Sequence, residues 1–458
     1  MNPAKLAELI RDWLQLLTRL FSGSSTGENP VKLRVIPRDQ HPVSRKNISR
    51  GALKTLYGLH EAGYEAYLVG GCLRDLLTDG QPKDFDVATD ATPEEIREVF
   101  RRSRIIGRRF QIVHVRFGPE VVEVSTFRAA HDPDESGAPR SEGGMLLRDN
   151  VYGTIEEDAI RRDFTINALY YNIADFALYD FLGSRKDLDD GIIRLIGDPE
   201  TRYREDPVRM LRAARFAAKM DFDLAPETEA PIAELKELLR DVPPARLFDE
   251  TLKLFMTGYG RRCLDQMRRL ELLGMLFPQT QETLDDDRDG RIQTLIESAM
   301  INTDRRLNQN KPVTPAFLFG IMLWPVIVEN MQAWLDDDHP KVQALHQAAG
   351  EVLAEQNQVV AIPKRFAVVM RDIWELQFRL DKRKGNQAER LLEHRRFRAA
   401  YDFLLLREQA GEIEPGLGEW WTQYQNADEN ERRQMVQQLG GAQRKKRGGR
   451  KRRKPAAS

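Results

Sequence analysis

The sequence predicts an α/β head, followed by all-α neck and body domains and by a disordered basic tail. Three observations support this fold class. Strand and helix patterns alternate only in the first part of the chain. From about Pro226 to Asn426, helical patterns follow one another without a convincing strand. The last eighteen residues hold nine Lys or Arg and no acid.

The length of the chain requires more than one hydrophobic core. At 458 residues it exceeds the size of a single compact domain, so several domains are expected. The predicted segments are an N-terminal helix and linker (1–40), the head (41–190), the neck (191–258), the body (259–428) and the basic tail (429–458).

Charge and cysteine usage narrow the class of protein. The formal net charge is only −1, so the basic tail is attached to an acidic remainder, and this asymmetry favours a polyanionic partner such as nucleic acid. Cys72 and Cys263 are the only two cysteines, which excludes a disulfide framework and a Cys-rich zinc site. They suit a reducing compartment, and we expect a cytoplasmic protein.

No segment predicts a membrane span. The most apolar run, Ala316–Val328, is short and contains Pro325, so we expect a buried core helix there. The N-terminal stretch Leu6–Phe21 has helical spacing but carries charges, which favours a helix that docks onto a partner, with membrane-surface association as the alternative. Ser22–Pro30 has the composition of a flexible linker.

The head begins with "YLVGGCLRDLLTDGQPKDFDVATD", in which a strand meets a Gly70-Gly71 turn, a short helix and a second strand. Asp84 and Asp86 stand at i and i+2 in that second strand, so their side chains share one face. Such a pair alone is more often a turn or a solvated edge. Thr92 then caps a helix that has Pro93 in its first turn.

A third carboxylate comes from the hairpin that follows. The stretches 110–117 and 121–127 alternate in polarity and are joined by a short turn, and Glu123 lies on the polar face of the second strand. Three clustered carboxylates suit two hard divalent cations, which could activate a hydroxyl and stabilise a leaving phosphate oxygen. Glycines at Gly70 and Gly71 would let a triphosphate approach the backbone and the start of a helix.

Two further helices carry polar residues at regular spacing. Thr154–Asn172 is predicted as one helix with a Thr154/Glu157 capping box. Arg204–Met220 is predicted as another, with Asp206 as N-cap and Pro207 at its first position. A stripe on this helix is formed by Arg209, Arg212, Phe216 and Lys219. Taken alone, the stripe is better explained as a salt-bridged surface.

These ordered motifs resemble the bacterial poly(A) polymerase and CCA-adding enzymes, the class II branch of the polymerase-β-like nucleotidyltransferases. The resemblance extends through "EVSTFR", "RRDFTINAL" and "EDPVRMLR" and covers roughly Ala62–Leu254 strongly. It implies a polymerase-β-like sheet, two Mg²⁺ ions (Mn²⁺ being possible) and a nucleoside triphosphate substrate.

The resemblance also implies roles for individual residues. The metal-binding catalytic acids are Asp84, Asp86 and Glu123, and Asp163 is a further catalytic acid. Asp163 and Asn167 are expected at i and i+4 on one helix face. Asp206, Arg209 and Arg212 belong to the base-reading helix. The full implied nucleotide-binding set is Gly70, Gly71, Arg74, Asp75, Arg162, Asn167, Asp206, Arg209 and Arg212.

Two features favour poly(A) synthesis over CCA addition. "RIIGRRFQIVHV" (Arg104–Val115) resembles a stretch typical of bacterial poly(A) polymerases, and the basic tail suits binding to RNA backbone without sequence preference. Solubility is the alternative explanation of the tail. The predicted RNA-binding residues are Arg108, Arg109, Arg444, Lys445, Lys446, Arg447, Arg450, Lys451, Arg452, Arg453 and Lys454.

The resulting hypothesis is a template-independent enzyme that adds AMP from ATP to RNA 3′ ends, releases pyrophosphate and promotes RNA turnover. The alternatives are a CCA-adding nucleotidyltransferase and a catalytically inert RNA-binding protein. We expect RNA 3′ ends and ATP as partners, with RNA-degradation machinery as a further one, and a monomer.

Overall fold

The computed structural model describes residues 33–78, 80–107, 111–129 and 151–447, with side chains through residue 439. The predicted helix Leu6–Phe21 and the linker after it lie outside the described residues. The chain divides into two compact units. Of the described residues, those up to 190 form the first, called the head unit here, and those from 191 onward form the second, called the helical unit.

The head unit is built on an eight-stranded mixed sheet. Its spatial order is β1-β8-β7-β2-β3-β6-β5-β4, and every neighbouring pair is antiparallel except β3 and β6, which run parallel. The predicted hairpin is confirmed as β5 and β6. The strands are β1 Arg34–Ile36, β2 Ala66–Val69, β3 Asp86–Thr89, β4 Ser103–Ile106, β5 Ile112–Phe117, β6 Glu120–Thr126, β7 Leu169–Asn172 and β8 Leu178–Asp180.

Five α-helices complete the described head unit. Both predicted capping boxes are present, at Thr92 with Glu95 and at Thr154 with Glu157, so these two helix starts are set by local sequence. The helices are α1 Arg50–Glu61, α2 Gly71–Leu77, α3 Pro93–Val99, α4 Ile155–Ile160 and α5 Ser184–Asp190.

Two predictions about the head were wrong in detail. The helix expected over Thr154–Asn172 ends at Ile160, a 3-10 turn covers Thr165–Asn167, and the aromatic segment after it is strand β7, which pairs with β2. Asp163 and Asn167 therefore do not share an α-helix face. Asp84 lies in a bend before β3 and not within the strand, because pairing with β2 begins only at Asp86.

The helical unit is almost entirely α-helical, as predicted from Pro226 onward. Its first part differs from an all-α neck in one respect, since strands β9 Ile192–Ile193 and β10 Asp223–Leu224 pair in parallel. The helices are α6 Pro199–Glu205, α7 Val208–Met220, α8 Pro226–Glu229, α9 Ile232–Leu235, α10 Pro244–Phe255, α11 Gly260–Arg269, α12 Leu273–Leu276, α13 Pro278–Asp285, α14 Arg291–Asn308, α15 Pro315–Met322, α16 Trp324–Asp336, α17 Lys341–Val359, α18 Lys364–Arg379, α19 Gln387–Leu392, α20 Phe397–Gln409, α21 Leu417–Asn426 and α22 Glu429–Arg447.

The apolar run Ala316–Val328 forms the two core helices α15 and α16. Phe319 and Trp324 are fully buried, and the Trp324 indole N–H donates to Glu412 at 3.0 Å. Across the described ranges, no single helix has the length and hydropathy of a membrane span; α15 and α16 reach them only together, across a bend of 53°.

The predicted tail starts later than the sequence indicated. Helix α22 occupies residues 429–447, because Asp428 caps its first turn and accepts the Glu431 N–H at 2.9 Å. The Arg432 guanidinium on this helix forms an ion pair with Glu389 of helix α19 at 3.1 Å. Residues 448–458 lie outside the described residues.

Candidate active site

The Gly70 turn opens onto the predicted acidic site. Gly70 has φ of 79° and ψ of −142°, which an L side chain rarely adopts. A Cβ at this position would lie 3.7 Å from Asp86 Oδ2 and 3.8 Å from Arg162 Nη1. The glycine therefore supplies bare backbone next to one acid and one cation.

Asp86 and Glu123 lie side by side on the parallel strands β3 and β6. They are register partners, so their side chains project from the same face of the sheet. Both line a cleft of about 380 Å³, together with Arg162 and Asp163. The structure thus brings together three of the four predicted catalytic acids, while Asp84 lies exposed just before β3.

The Asp86 carboxyl is electrostatically crowded. Burial, the charge of Glu123 and the charge of Asp84 raise its pKa to about 6, although the nearby Arg162 guanidinium opposes this. Carboxylates that disfavour one another's charge are suited to a hard cation, because bound Mg²⁺ would offset the repulsion. Within the described ranges, no three His, Cys, Asp or Glu side chains converge closely enough to hold a metal. The metal-ligand set therefore stays a prediction.

His114 is a residue of this site that the sequence reasoning missed. It is the register partner of Glu123 on β5, and its Nε2 lies 3.3 Å from Glu123 Oε1. The alternation of the predicted hairpin could have indicated the pair, since opposite positions on an antiparallel ladder share a face. His114 holds the half-exposed Glu123 side chain on the cleft side of the sheet.

Asp158 is a second residue that was missed, and it positions the cleft arginines. Its fully buried carboxylate accepts hydrogen bonds from Arg161 at 2.9 Å, from Arg162 at 2.9 Å and from the Tyr170 hydroxyl at 2.7 Å. Burial alone would raise its pKa, but the two arginines and Tyr170 outweigh burial and lower it. The spacing i, i+3 and i+4 in "DAIRR" was the available signal.

Arg162 stays charged in this setting. Burial opposes its charge, yet Tyr170 and Asp158 raise its pKa above the ordinary value. Its guanidinium also lies over the Tyr170 ring, 5.2 Å from the centroid. A permanently charged arginine therefore stands next to Asp86 and Gly70.

A chain of hydrogen bonds joins the turn helix α2 to the segment after α4. Arg74 donates to Asp75 Oδ1 at 2.8 Å and to Asn167 Oδ1 at 2.7 Å, and Asn167 Nδ2 donates to Asp163 Oδ1 at 3.1 Å. Arg74 is only 4% exposed, so the structure gives it a positioning role. Direct phosphate contact by Arg74 stays a prediction.

The predicted base-reading residues lie in the helical unit, and Asp206 and Arg209 are engaged in ion pairs. Asp206 accepts from Arg246 at 2.7 Å, and it precedes helix α7, whose first residue is Val208. Arg209 donates to Glu205 at 2.8 Å. The Arg212 guanidinium lies 5.3 Å from the centroid of Phe216, which is buried.

The other predicted residues are placed as follows. Arg108, Arg109 and the tail residues 450–454 lie outside the described residues, and helix α22 fixes only the backbone of residues 444–447. Both cysteines are free and buried, and burial raises the pKa of each thiol to about 12.

Comparison with known proteins identifies the family. Three family models match in chain order: the poly A polymerase head domain (66–194), the probable RNA and SrmB-binding site of polymerase A (221–284) and the polymerase A arginine-rich C-terminus (337–455). Poly(A) polymerase I of Escherichia coli O6:H1 is 48% identical over 432 residues, which cover 93% of each chain. The chain belongs to the bacterial poly(A) polymerase I family.

Other members and neighbours of the poly(A) polymerase I family differ in how much they share. The Haemophilus influenzae poly(A) polymerase I is 45% identical over 88% of this chain and 90% of its own length. The Bacillus subtilis CCA-adding enzyme is 39% identical, but over only 48% of this chain. The Thermotoga maritima CCA-adding enzyme complexed with tRNA has a TM-score of 0.58 at 19% identity and 86% coverage of each chain, which confirms the polymerase-β-like fold.

Proposed function

We propose that this protein is a template-independent poly(A) polymerase that transfers AMP from ATP to RNA 3′ ends and releases pyrophosphate. The observation that carries the proposal is the pairing of Asp86 with Glu123 on parallel strands, next to the Gly70 turn and Arg162. Membership of the poly(A) polymerase I family selects this reaction among those that such a site can perform.

We propose that Asp84, Asp86 and Glu123 hold two Mg²⁺ ions, or Mn²⁺ in their place. The oxygen donors and the raised pKa of Asp86 fit this assignment. When bound, such ions supply charge stabilisation to the attacking 3′-hydroxyl and to the leaving phosphate oxygen. The charge of Glu123 is kept on the cleft side by His114.

The chain's own cations then complete the phosphate site. Arg162 presents a positive charge beside the Gly70 backbone, and its hydrogen bond to Asp158 fixes the position of the guanidinium. Asp163 and Asn167, linked to Arg74, are proposed to contact the ribose and phosphates. Base selection is assigned to Asp206, Arg209 and Arg212. The ion pairs of Asp206 with Arg246 and of Arg209 with Glu205 would hold these side chains in place before a nucleotide binds.

CCA addition is the second candidate function, because the head also matches CCA-adding enzymes. Purified protein should be given ATP alone, CTP alone or both together, first with an oligo(A) primer and then with tRNA that lacks its CCA end. Long extension of the primer with ATP alone supports poly(A) synthesis. Ordered addition of C, C and A that is restricted to tRNA would overturn it. Inactivity with both primers would favour the inert RNA-binding alternative.

We also propose a cytoplasmic monomer that cooperates with RNA-degradation machinery. The two free, buried cysteines suit a reducing compartment. The family description of residues 221–284 as a probable RNA and SrmB-binding site supports a protein partner on the helical unit.

A further inference from the structure

A cluster of cations lies on the head unit away from the catalytic cleft. Arg50 and Lys54 come from helix α1, Arg101 and Arg102 follow helix α3, and Arg116 is on β5. All five side chains are exposed. They surround a groove of about 540 Å³ and are called the basic patch here.

The cations of the basic patch have no acidic partners on the described surface. Some exposed arginines of this protein pair with a carboxylate, as Arg204 does with Glu200 at 2.7 Å. Among the described residues, none of the five patch cations forms an ion pair. Grouping like charges without counterions is unfavourable in the free protein, so the arrangement favours a polyanionic ligand.

Among the described residues, Glu120 is the one acid that lines the groove, and its carboxylate holds helix α1 in place. Glu120 accepts hydrogen bonds from the Ser49 hydroxyl and from the Gly51 N–H, the latter at 3.1 Å. A Cβ at Gly51 would lie 2.6 Å from Glu120 Cδ, so a larger residue at position 51 would displace the Glu120 carboxylate from the start of helix α1. Glu120 therefore fixes α1 against β6, which places Arg50 and Lys54 opposite Arg116.

Aromatic rings form part of the groove. Phe100 and Phe117 are partly exposed and meet edge to face with their centroids 6.4 Å apart. The Lys54 ammonium lies 5.9 Å from the Phe117 centroid. A positively charged groove combined with accessible rings is the usual arrangement for binding single-stranded nucleic acid, whose bases stack while its phosphates meet cations.

The basic patch and the catalytic cleft lie on opposite faces of the same sheet and share strand β6. Glu120 and Glu123 are three residues apart on β6, which corresponds to about 10 Å, and they point to opposite faces of the sheet. A flexible polymer whose 3′ end lies in the cleft could thus pass around the sheet and reach the patch.

We propose that the basic patch binds the phosphate backbone of single-stranded RNA upstream of the 3′ end. The identity of the polymer rests on the proposed function, whereas the preference for a polyanion follows from the patch itself. The patch contributes affinity for RNA and takes no part in the transfer of AMP.

The test compares two variants of the full-length protein that lose the same charge. The patch variant is Arg101→Gln with Arg102→Gln. The control is Arg34→Gln with Lys186→Gln. These two residues lie at the β1–β8 edge of the sheet, opposite the β4–β5 edge that carries the patch. Thermal unfolding is used to check that both variants fold. Binding of a labelled oligo(A) is then measured by fluorescence anisotropy across a salt series without ATP or metal.

The patch variant should bind oligo(A) about tenfold or more weakly at 0.1 M salt. Its slope of log K against log salt should fall by roughly 1.4, because each single-strand phosphate contact contributes about 0.7. The control should match the wild type. Equal slopes for all three proteins would overturn the proposal. Polyglutamate is also tested as a competitor of the labelled RNA. If it competes as strongly as unlabelled oligo(A), the patch binds an acidic protein partner and the proposal is overturned.

Two further measurements separate this site from the catalytic one. In primer extension, the patch variant should show a raised KM for RNA with an unchanged kcat, and a lowered kcat at saturating RNA would overturn the proposal. Phe117→Leu should weaken binding severalfold without changing the salt slope, because it removes a stacking ring but no charge. The anisotropy result stands even if AMP transfer itself is not found.

Discussion

Replacing Asp86 by Asn should stabilise the head unit while abolishing catalysis. In the folded protein the pKa of Asp86 is raised from 3.8 to about 6, mainly by burial and then by the charge of Glu123. At about 1.4 kcal/mol per pH unit, this corresponds to a ceiling of about 3 kcal/mol of unfavourable free energy for the ionised form. The neutral Asn side chain avoids this cost, so we expect about 1–3 kcal/mol of stabilisation at pH 8.

The expected pH dependence follows from the sign of the shift. Between about pH 4 and pH 6 the folded state binds the Asp86 proton more strongly than the unfolded state does, so the wild-type stability falls as the pH rises through this window. Above about pH 6 the penalty is constant, and below about pH 4 it vanishes. The difference between Asp86→Asn and the wild type should therefore grow from zero to its full value over this range.

The assay has to report on the head unit alone. Five of the six tryptophans, at positions 324, 334, 374, 420 and 421, belong to the helical unit, so total tryptophan fluorescence does not report on the head unit selectively. Hydrogen exchange of β3 and β6 amides in metal-free buffer gives the local opening free energy. Exposed Glu94→Gln serves as the charge-matched control. An Asp86→Asn protein that is no more stable than the wild type at pH 8, or whose advantage does not vary with pH, would refute the reasoning.

Three further predictions follow from the structure. Asp158→Asn should destabilise the head by about 3–5 kcal/mol, as measured by hydrogen exchange, because it breaks a buried ion cluster. The control, exposed Glu156→Gln on the same helix, should change this stability little. Equal effects of the two substitutions would contradict this account. Asp84→Asn should abolish AMP transfer in primer extension yet keep the unfolding midpoint within about 2 °C, and a larger fall would assign the loss to folding. Deleting residues 448–458 removes five basic side chains and should lower the salt slope of RNA binding by roughly 3.5, and an unchanged slope would exclude the tail from RNA binding.

Local patterns predicted the elements whose signals are local. The alternation in 121–127 placed Glu123 on a polar face, and the structure pairs that face with Asp86. The capping boxes at Thr92 and Thr154 correctly marked two helix starts. These features depend on residues at most a few positions apart, which a single sequence contains in full.

The errors arose where distant partners decide the structure. The apolar spacing after Thr154 matched a helix, but the segment Leu169–Asn172 pairs with β2, about a hundred residues earlier, and sheet pairing outweighs helix periodicity. Likewise, the hydrogen bond from Arg74 to Asn167 spans 93 positions, so a role for Arg74 in positioning could not be deduced from its neighbours in sequence. The ion pair between Asp206 and Arg246 was hidden for the same reason.

The burial of both native thiols makes the protein convenient to label. Cys72 and Cys263 are buried in the cores around them and remain protonated at neutral pH, so alkylating dyes should react with them only slowly. A single new cysteine on the exposed surface, for instance Arg101→Cys, would then be the preferred attachment point for a fluorophore. Emission from that dye could follow the arrival of a polymer in real time without first removing the natural cysteines.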